Sequence, residues 1–314
     1  PLDGVQPTPP VASSMATRNI GTPLQPAVIE STAPPRIPPQ QTDLMGIVES
    51  GPLSRGSVTA QAFTAPMRQV THGPGFNFFG YFDKPPWSHD LEMFAVGHVT
   101  FFDRDMQPDD VLDVMILRLR TGIQSKVAQT RAFNFQQGTM LNWVGATHRI
   151  VFNDRKDGGS ELLISRVLDV DSGAERALPR PIYALSRDGE YATSLDFYRL
   201  HMLRRGYGYA ASDSTLRESI AQKAPDDDGL WVMDTTSGNS HLVASYADMA
   251  RHTGVRHGCW VWFNHAQFLF DGERVVFVFR SVCRLGDAFQ NIGLFTISRH
   301  GRMQSLHRLL SHTG

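Results

Sequence analysis

Two side chains just ahead of an Asp-Gly turn have the types and spacing of a proton-transfer or metal site. His265 and Gln267 stand two residues apart in an apolar segment that reads as a β-strand, so their side chains are expected on one face. Imidazole nitrogen and amide oxygen suit manganese or another divalent ion. His257, Asp83 and Asp196 could complete the metal site. The simpler alternative is that His265 is a hydrogen-bonded strand histidine.

A second set of candidates lies between Asp196 and Asp228, where the alternation of apolar and polar residues stops. A carboxylate, guanidinium groups and phenols are interleaved there with glycines. Arginine can hold a carboxylate through two parallel hydrogen bonds, and His or Tyr could act on the protons of an acidic sugar. The alternative is a solvated loop whose tyrosines pack on the sheet below. The residues expected to bind substrate or act on protons are Asp196, Arg199, Arg204, Tyr207 and Tyr209, with Arg155 and His265 from other segments.

A third candidate is the segment FGYFDKPPW, residues 79–87. Its prolines predict a stiff turn that presents Tyr81, Asp83, Lys84 and Trp87 at a rim, where sugar rings could stack on the aromatic faces. Packing of Trp87 between sheets is the alternative. Asn153–Arg155 is expected to be a turn after a strand, in which Arg155 could also pair locally.

Composition narrows the possible partners. The 314 residues carry 30 Lys and Arg against 31 Asp and Glu, so there is no net positive field for nucleic acid. The longest apolar run, Val275–Phe279, is much shorter than the ~20 residues that span a bilayer. The sequence therefore predicts no nucleic-acid partner and no membrane span, and it leaves the oligomeric state and a cytoplasmic or periplasmic location open.

The two cysteines and the absent motifs narrow the class further. Two buried thiols are the expected state of Cys259 and Cys283, with one disulfide as the alternative. The sequence contains no phosphate loop, HExxH or GxSxG motif. Nucleotide hydrolysis, zinc-dependent proteolysis and α/β-hydrolase chemistry are therefore not supported.

The elements that must position these residues follow from a repeated turn. Strand-like runs end in RLRTG, DVDSG, DTTSG and SRHG, in which a small polar residue and a glycine with positive φ reverse the chain into another strand. The motifs LSRDGE and FLFDGE add two more such turns in the same phase. A turn of this kind closes the outer hairpin of a propeller blade, so we predict an all-β propeller of four-stranded antiparallel blades.

The repeats also give the domain organisation. Residues 1–56 are rich in Pro, Ser, Thr and Gln, which predicts a disordered arm, and the propeller is expected over residues 57–314. The spacings between turn glycines exceed the ~40 to 45 residues of a lean blade, so long loops must be inserted. Four units are visible, either as a small closed ring or as part of a larger one: residues 70–128, 131–178, 179–245 and 255–310.

These turns resemble the SPDG and DxxTG turns of TolB-like and oligogalacturonate-lyase-like propellers, which have WD40-like repeats. Further segments look like a bacterial branch of the same propellers: FGYFDKPPW, QGTMLNW, FNDR, PIYALSRDG and SLDFYRLHMLRRGYGY. For the lyases, the resemblance implies seven blades, manganese or another divalent metal held by His and Gln near the axis, and β-elimination from a uronate. The positions here that match this metal set are His265 and Gln267 in NHAQ.

Two functions remain open from the sequence. The first is a carbohydrate-active propeller that acts on an acidic oligosaccharide as a polysaccharide lyase. The second is a non-catalytic TolB-like propeller that binds a protein or glycan. Convergence of His265, Gln267, His257 and Arg199 on one cavity would favour the enzyme, whereas an exposed apolar rim would favour the binding module.

Overall fold

Glycine turns close the outer hairpins of four antiparallel sheets. The protein is described by a computed structural model covering residues 69–156, 160–287, 291–301 and 306–313. The turn glycines Gly122, Gly173, Gly238 and Gly301 have φ of 72°, 74°, 77° and 71°, which confirms the positive φ predicted for them. The predicted Pro-rich arm, residues 1–56, lies outside the described residues and stays a prediction.

Each sheet contains four consecutive strands in chain order, as the repeated turns predict. The first sheet contains β1 (Phe76–Phe78), β2 (Met93–Val99), β3 (Leu112–Arg118) and β4 (Ile123–Thr130). The second contains β5 (Asn142–Trp143), β6 (Arg149–Arg155), β7 (Leu163–Asp169) and β8 (Glu175–Leu178). The third contains β9 (Ala184–Leu185), β10 (Tyr191–Ser194), β11 (Gly229–Asp234) and β12 (Ser240–Ser245). The fourth contains β13 (Trp260–Phe268), β14 (Arg274–Val282), β15 (Asn291–Ser298) and β16 (His307–Thr313). The fold is an all-β propeller.

The segment between β10 and β11 is helical where the sequence predicted an irregular loop. It contains α1 (Phe197–Leu203) and α2 (Asp213–Ser219), and α3 (Tyr246–Thr253) follows β12. The Asp196 carboxylate caps α1 by accepting hydrogen bonds from the backbone N–H groups of Tyr198 and Arg199, as an N-cap residue does. Within the described residues, no helix has the length and apolar character needed to cross a bilayer.

Buried polar side chains join neighbouring sheets. The expected turn at Asn153–Arg155 is instead part of β6, and Asn153 is fully buried. Its amide nitrogen donates to the carbonyl of Ile182 at 2.8 Å, and its amide oxygen accepts from the Ile182 N–H at 2.7 Å. Thr193 Oγ1 donates to the carbonyl of Ala266 at 2.8 Å. These bonds hold the second sheet to the third and the third to the fourth.

The two cysteines form a disulfide, so the expectation of two separate thiols was wrong. Cys259 and Cys283 lie on either side of the β13–β14 hairpin, with their Cα atoms 3.9 Å apart. The register pairs Trp260 with Val282, which places the next residue of each strand opposite the other. Strand pairing therefore brings together two cysteines whose sequence spacing alone left both states open.

Candidate functional site

Side chains from β13, from β14 and from the segments next to β1, β5, β9 and α1 meet in one group. Stacked and edge-on aromatic rings, hydrogen bonds and one ion pair connect these side chains. We call this group the central cluster, and its members are Tyr81, Asp83, Lys84, Gln137, Tyr183, Arg204, Tyr207, His265, Gln267 and Arg280. Seven of the ten were singled out from the sequence, and the fold brings them together.

His265 stands at the middle of the central cluster. Its ring stacks on Tyr81 at 5.8 Å between centroids and 17° between planes, and it meets Tyr207 edge-on at 5.8 Å and 87°. Burial lowers the pKa of His265, and the nearby Arg280 cation lowers it further. The imidazole is therefore neutral at neutral pH and can accept a proton.

The backbone around His265 departs from regular β-strand geometry. The register of β13 against β14 shifts between Asn264 and Gln267, and His265 has a φ of 54°. This bulge interrupts the simple alternation expected for His265 and Gln267, yet both side chains reach the central cluster, His265 at Tyr81 and Gln267 at Asp83. Positive φ in a residue other than glycine is uncommon and is found at functional sites.

The Asp83 carboxylate pairs with its neighbour Lys84 and links the segment after β1 to β13 through a hydrogen bond from Gln267. Asp83 Oδ2 accepts hydrogen bonds from Lys84 Nζ and from Gln267 Nε2, both at 2.6 Å. Lys84 is only 2% exposed, so it lies inside the protein and not at a rim as the sequence predicted. Burial lowers the pKa of Lys84, and the Asp83 carboxylate opposes that change. Asp83 Oδ1 is buried without a hydrogen-bond partner.

Gln137 and Tyr183 belong to the central cluster and were missed at the sequence level. Gln137 Nε2 donates to the Tyr183 hydroxyl at 2.9 Å, and both residues are fully buried. Burial raises the pKa of Tyr183. The amide oxygen of Gln137 is buried without a hydrogen-bond partner. Their positions in QGTMLNW and PIYALSRDG were the available signal, because these segments carried the family resemblance.

Two guanidinium groups give the cluster a positive side. The Arg204 guanidinium carbon lies 5.0 Å from the centre of the Tyr207 ring. Arg280 on β14 donates from Nε to the Asn264 side-chain oxygen at 3.2 Å. Burial lowers the pKa of Arg280, and the proximity of Arg204 lowers it further. Arg280 gave no signal in the sequence, because it alternates with apolar residues like any outward strand residue.

The remaining candidates from the 196–228 segment lie in the interior. Arg199 is 1% exposed, and its guanidinium donates to four backbone carbonyls, those of Ser219, Gln222, Lys223 and Val261. It is therefore committed to the fold and is not placed to neutralise a substrate carboxylate. Tyr209 is fully buried and stacks on Phe197 at 4.4 Å and 3°, as the packing alternative predicted. Burial raises the pKa of the N-cap Asp196 to about 6.

Three further candidates lie apart from the central cluster. Arg155 donates to the Ala210 carbonyl and lines a separate cavity of about 420 Å³ with Glu161. Trp87 is 42% exposed and packs against Phe94 within its own sheet. His257 is exposed on the loop before β13.

The predicted metal set of His257, His265 and Gln267 does not fit the structure. Residues 258–264 separate the two histidines, and the stretch of β13 from Trp260 to His265 alone spans about 16 Å at ~3.3 Å per strand residue. Within the described ranges, neither histidine belongs to a group of three or more His, Cys, Asp or Glu ligand atoms close enough to share an ion.

No protein-family model and no curated protein sequence matches the chain. Among solved structures, it is similar to an oligogalacturonate lyase from Vibrio parahaemolyticus, with a TM-score of 0.47 and 13% identity over 78% of this chain and 56% of that one. It is also similar to an oligogalacturonate lyase in complex with manganese, with a TM-score of 0.38 and 13% identity over 76% of this chain and 67% of that one. For TolB from Acinetobacter baumannii, the TM-score is 0.35 and the identity is 11% over 78% of this chain and 57% of that one.

The chain thus spans just over half the length of the Vibrio lyase. These structures are of the TolB-like and oligogalacturonate-lyase-like kinds that the repeated turns resemble, and at these identities the likeness concerns the fold alone.

Proposed function

We propose that this propeller binds an acidic oligosaccharide at the central cluster and that His265 accepts a proton from it in a β-elimination. The observation that carries the proposal is the neutral His265 imidazole held between the Tyr81 and Tyr207 rings. An imidazole with lowered pKa, next to phenols and cations, is the arrangement expected of a general base acting on an anionic substrate.

Recognition of a sugar is supported by two buried oxygens. Asp83 Oδ1 and Gln137 Oε1 are enclosed without hydrogen-bond partners, and an unsatisfied buried acceptor costs about 1–3 kcal/mol. Sugar hydroxyls are donors that would satisfy both oxygens once the surrounding side chains move apart to admit the ligand. The Arg204 and Arg280 guanidinium groups are suited to the carboxylate of a uronate, because arginine binds carboxylates in a bidentate manner.

The elimination uses groups within the cluster. His265 takes the proton on the carbon next to the carboxylate, the electron pair forms a carbon–carbon double bond, and the bond to the leaving oxygen breaks. The leaving oxygen must receive a proton. A hydrogen bond with Tyr207 is the main cause that raises the pKa of Tyr81, so the Tyr81 phenol keeps its proton at neutral pH and can donate it.

The test is ultraviolet absorbance of unsaturated uronides, with the folded chain incubated on a panel of uronate oligosaccharides. We expect product formation that persists with chelator and falls at least ~100-fold in His265→Ala, the usual contribution of a general base. His72→Ala, which changes an exposed histidine, is the matched control and should retain full activity. Binding without product would refute the elimination, and the absence of both would refute the whole proposal.

A second candidate function is recognition of a glycan or protein without catalysis. Exposed aromatic side chains favour it: Phe82 is 79% exposed beside Tyr81, and Phe76 and Phe102 are 48% and 54% exposed, with ring centroids 5.6 Å apart. Exposed aromatic side chains of this kind are typical of a binding surface. If the chain binds oligosaccharide without turnover, and Phe82→Ala weakens binding while His265→Ala does not, this second function is correct.

A further inference from the structure

A cluster of histidine and aspartate lies between the first and second sheets, away from the central cluster. The segment between β1 and β2 contributes His89 and Asp90, and the turn between β5 and β6 contributes His148. His148 Nε2 lies 2.9 Å from Asp90 Oδ2, and its Nδ1 lies 2.6 Å from Asp171 Oδ2. The rings of His89 and His148 are 5.5 Å apart.

We propose that His89, Asp90 and His148 bind a divalent transition-metal ion of the zinc type. One ligand atom from each residue lies within 4.8 Å of the other two, and these residues are the only such group in the described part of the chain. Ligands around tetrahedral zinc are about 3.3 Å apart, given metal–ligand distances of ~2.0–2.1 Å. The side chains therefore need only small rotations to enclose an ion.

The ligands are already oriented by their neighbours. Asp90 Oδ1 accepts hydrogen bonds from Ser88 Oγ at 2.6 Å and from the Glu92 N–H at 3.1 Å, so Oδ2, which faces His148 Nε2 at 2.9 Å, is the oxygen that an ion would take. The Asp171 carboxylate accepts from His148 Nδ1–H, and His148 Nε2 lies 2.9 Å from Asp90 Oδ2, to which it donates a second hydrogen bond when protonated. An ion that binds there takes the place of the Nε2 proton, while Asp171 keeps the Nδ1–H in position. A carboxylate behind a metal-binding histidine is the usual outer support of such sites. Arg118 lies 3.6 Å from the other oxygen of Asp171.

The ligand chemistry selects the kind of metal. Two imidazoles and one carboxylate suit zinc and its neighbours in the transition series, whereas magnesium and calcium prefer oxygen ligands throughout. Three protein ligands leave a fourth position for water. Because the ligands come from two sheets, the ion would clamp the β1–β2 segment, which also carries Tyr81 and Asp83, to the second sheet. This site is independent of the proposed elimination.

The test is isothermal titration calorimetry with zinc ions on the full chain, without a polyhistidine tag and after removal of metals by chelator and dialysis. We expect one equivalent of zinc bound by the wild type and by the exposed-histidine control His72→Ala, and loss of that equivalent in His148→Ala and Asp90→Asn. Asp171→Asn should weaken binding by ~10–100-fold, as removal of an outer support does. Magnesium should give no heat of binding at the same concentrations.

A second measurement keeps the test valid if His148→Ala does not fold. His89 is exposed, so His89→Ala should fold normally, and titration of both proteins with cobalt(II) reports ligand geometry by visible absorbance. We expect a tetrahedral spectrum in the wild type that is lost in His89→Ala. Absence of zinc binding by the folded wild type, or unchanged binding in Asp90→Asn and His89→Ala, overturns the proposal. Loss only in His265→Ala would assign the metal to the central cluster and overturn it as well.

Discussion

Replacement of Arg199 should destabilise the fold and not act on substrate binding directly. Its guanidinium bridges the helical insertion to β13, since Nε donates to Val261 at 2.8 Å and Nη1 donates to Ser219 and Gln222 at 3.0 and 2.9 Å. The remaining nitrogen donates to Lys223. Arg199→Met removes all four bonds, fills similar volume, and leaves the carbonyls without these donors.

The expected loss follows from the number of bonds. A hydrogen bond to a charged group contributes ~1.5–3 kcal/mol, so four give a gross value of about 6–12 kcal/mol. Relief of the buried cation's desolvation offsets part of this, and breaking a buried charged network usually costs 3–5 kcal/mol net. We therefore expect Arg199→Met to lower the free energy of unfolding by about 4 kcal/mol. Arg199→Lys should lose less than Arg199→Met, because an ammonium keeps the charge and three donors, although it lacks the planar fork of arginine.

Urea denaturation followed by tryptophan fluorescence measures this free energy, and hydrogen exchange of residues 212–224 reports local opening. The control is Arg217→Met in α2, since that arginine is 71% exposed and contacts Asp213 only at 3.6 Å. Its effect should be below ~0.5 kcal/mol. The structural role is refuted if Arg199→Met stays within about 1 kcal/mol of the wild type while oligosaccharide binding is abolished.

Three further predictions concern stability. The folded pKa of Asp196 is about 6 against a usual value of 3.8, so the folded state binds the proton more tightly and stability falls by up to about 3 kcal/mol as pH rises from 4 to 7. Asp196→Asn keeps a side-chain acceptor for the helix cap but cannot titrate, so denaturation at pH 4 and pH 7 should show a smaller change in its free energy of unfolding than in that of the wild type. An equal change in both proteins would contradict the prediction. Replacing Cys259 and Cys283 by serine opens a loop with a sequence separation of 24. Thermal unfolding should show a free energy of unfolding about 3 kcal/mol lower than that of the oxidised wild type, and an equal stability of the two would contradict the prediction. Gly173→Ala places a side chain at φ 74° with no atom within 4 Å of its Cβ. Backbone strain alone should lower the free energy of unfolding by ~1–2 kcal/mol. Gly173→Asn should lose less, because asparagine adopts positive φ more readily than alanine, and an equal loss in both variants would argue against strain as the cause.

The repeated turns were predictable because their causes are local. In the DVDSG turn, Asp169 Oδ1 accepts hydrogen bonds from the N–H and hydroxyl of Ser172, and Gly173 supplies the positive φ. All the interacting groups lie within five residues, so the sequence carried the full information. The all-β class, the outer hairpins and the strand positions followed from these turns.

Side-chain burial was not predictable, because it depends on distant backbone. Arg199 in a helix of seven residues looks like a surface cation until carbonyls from residues 219–223 and from β13 are placed around it. Lys84 likewise looks like a rim charge until Tyr183 packs 5.6 Å beneath its ammonium group. Sequence spacing carries no signal for contacts of this kind.

The sequence by itself determined the repeat, the all-β propeller class and seven of the residues that meet in the central cluster. Only the tertiary structure decided that His257 stands apart from His265, that Gln137, Tyr183 and Arg280 join it, and that His89, Asp90 and His148 gather between two sheets. The physical reason is the difference in sequence separation between the interactions that determine each. Turn and strand preferences act between neighbours in the chain, whereas a site is assembled by sheet packing, which joins residues far apart in sequence.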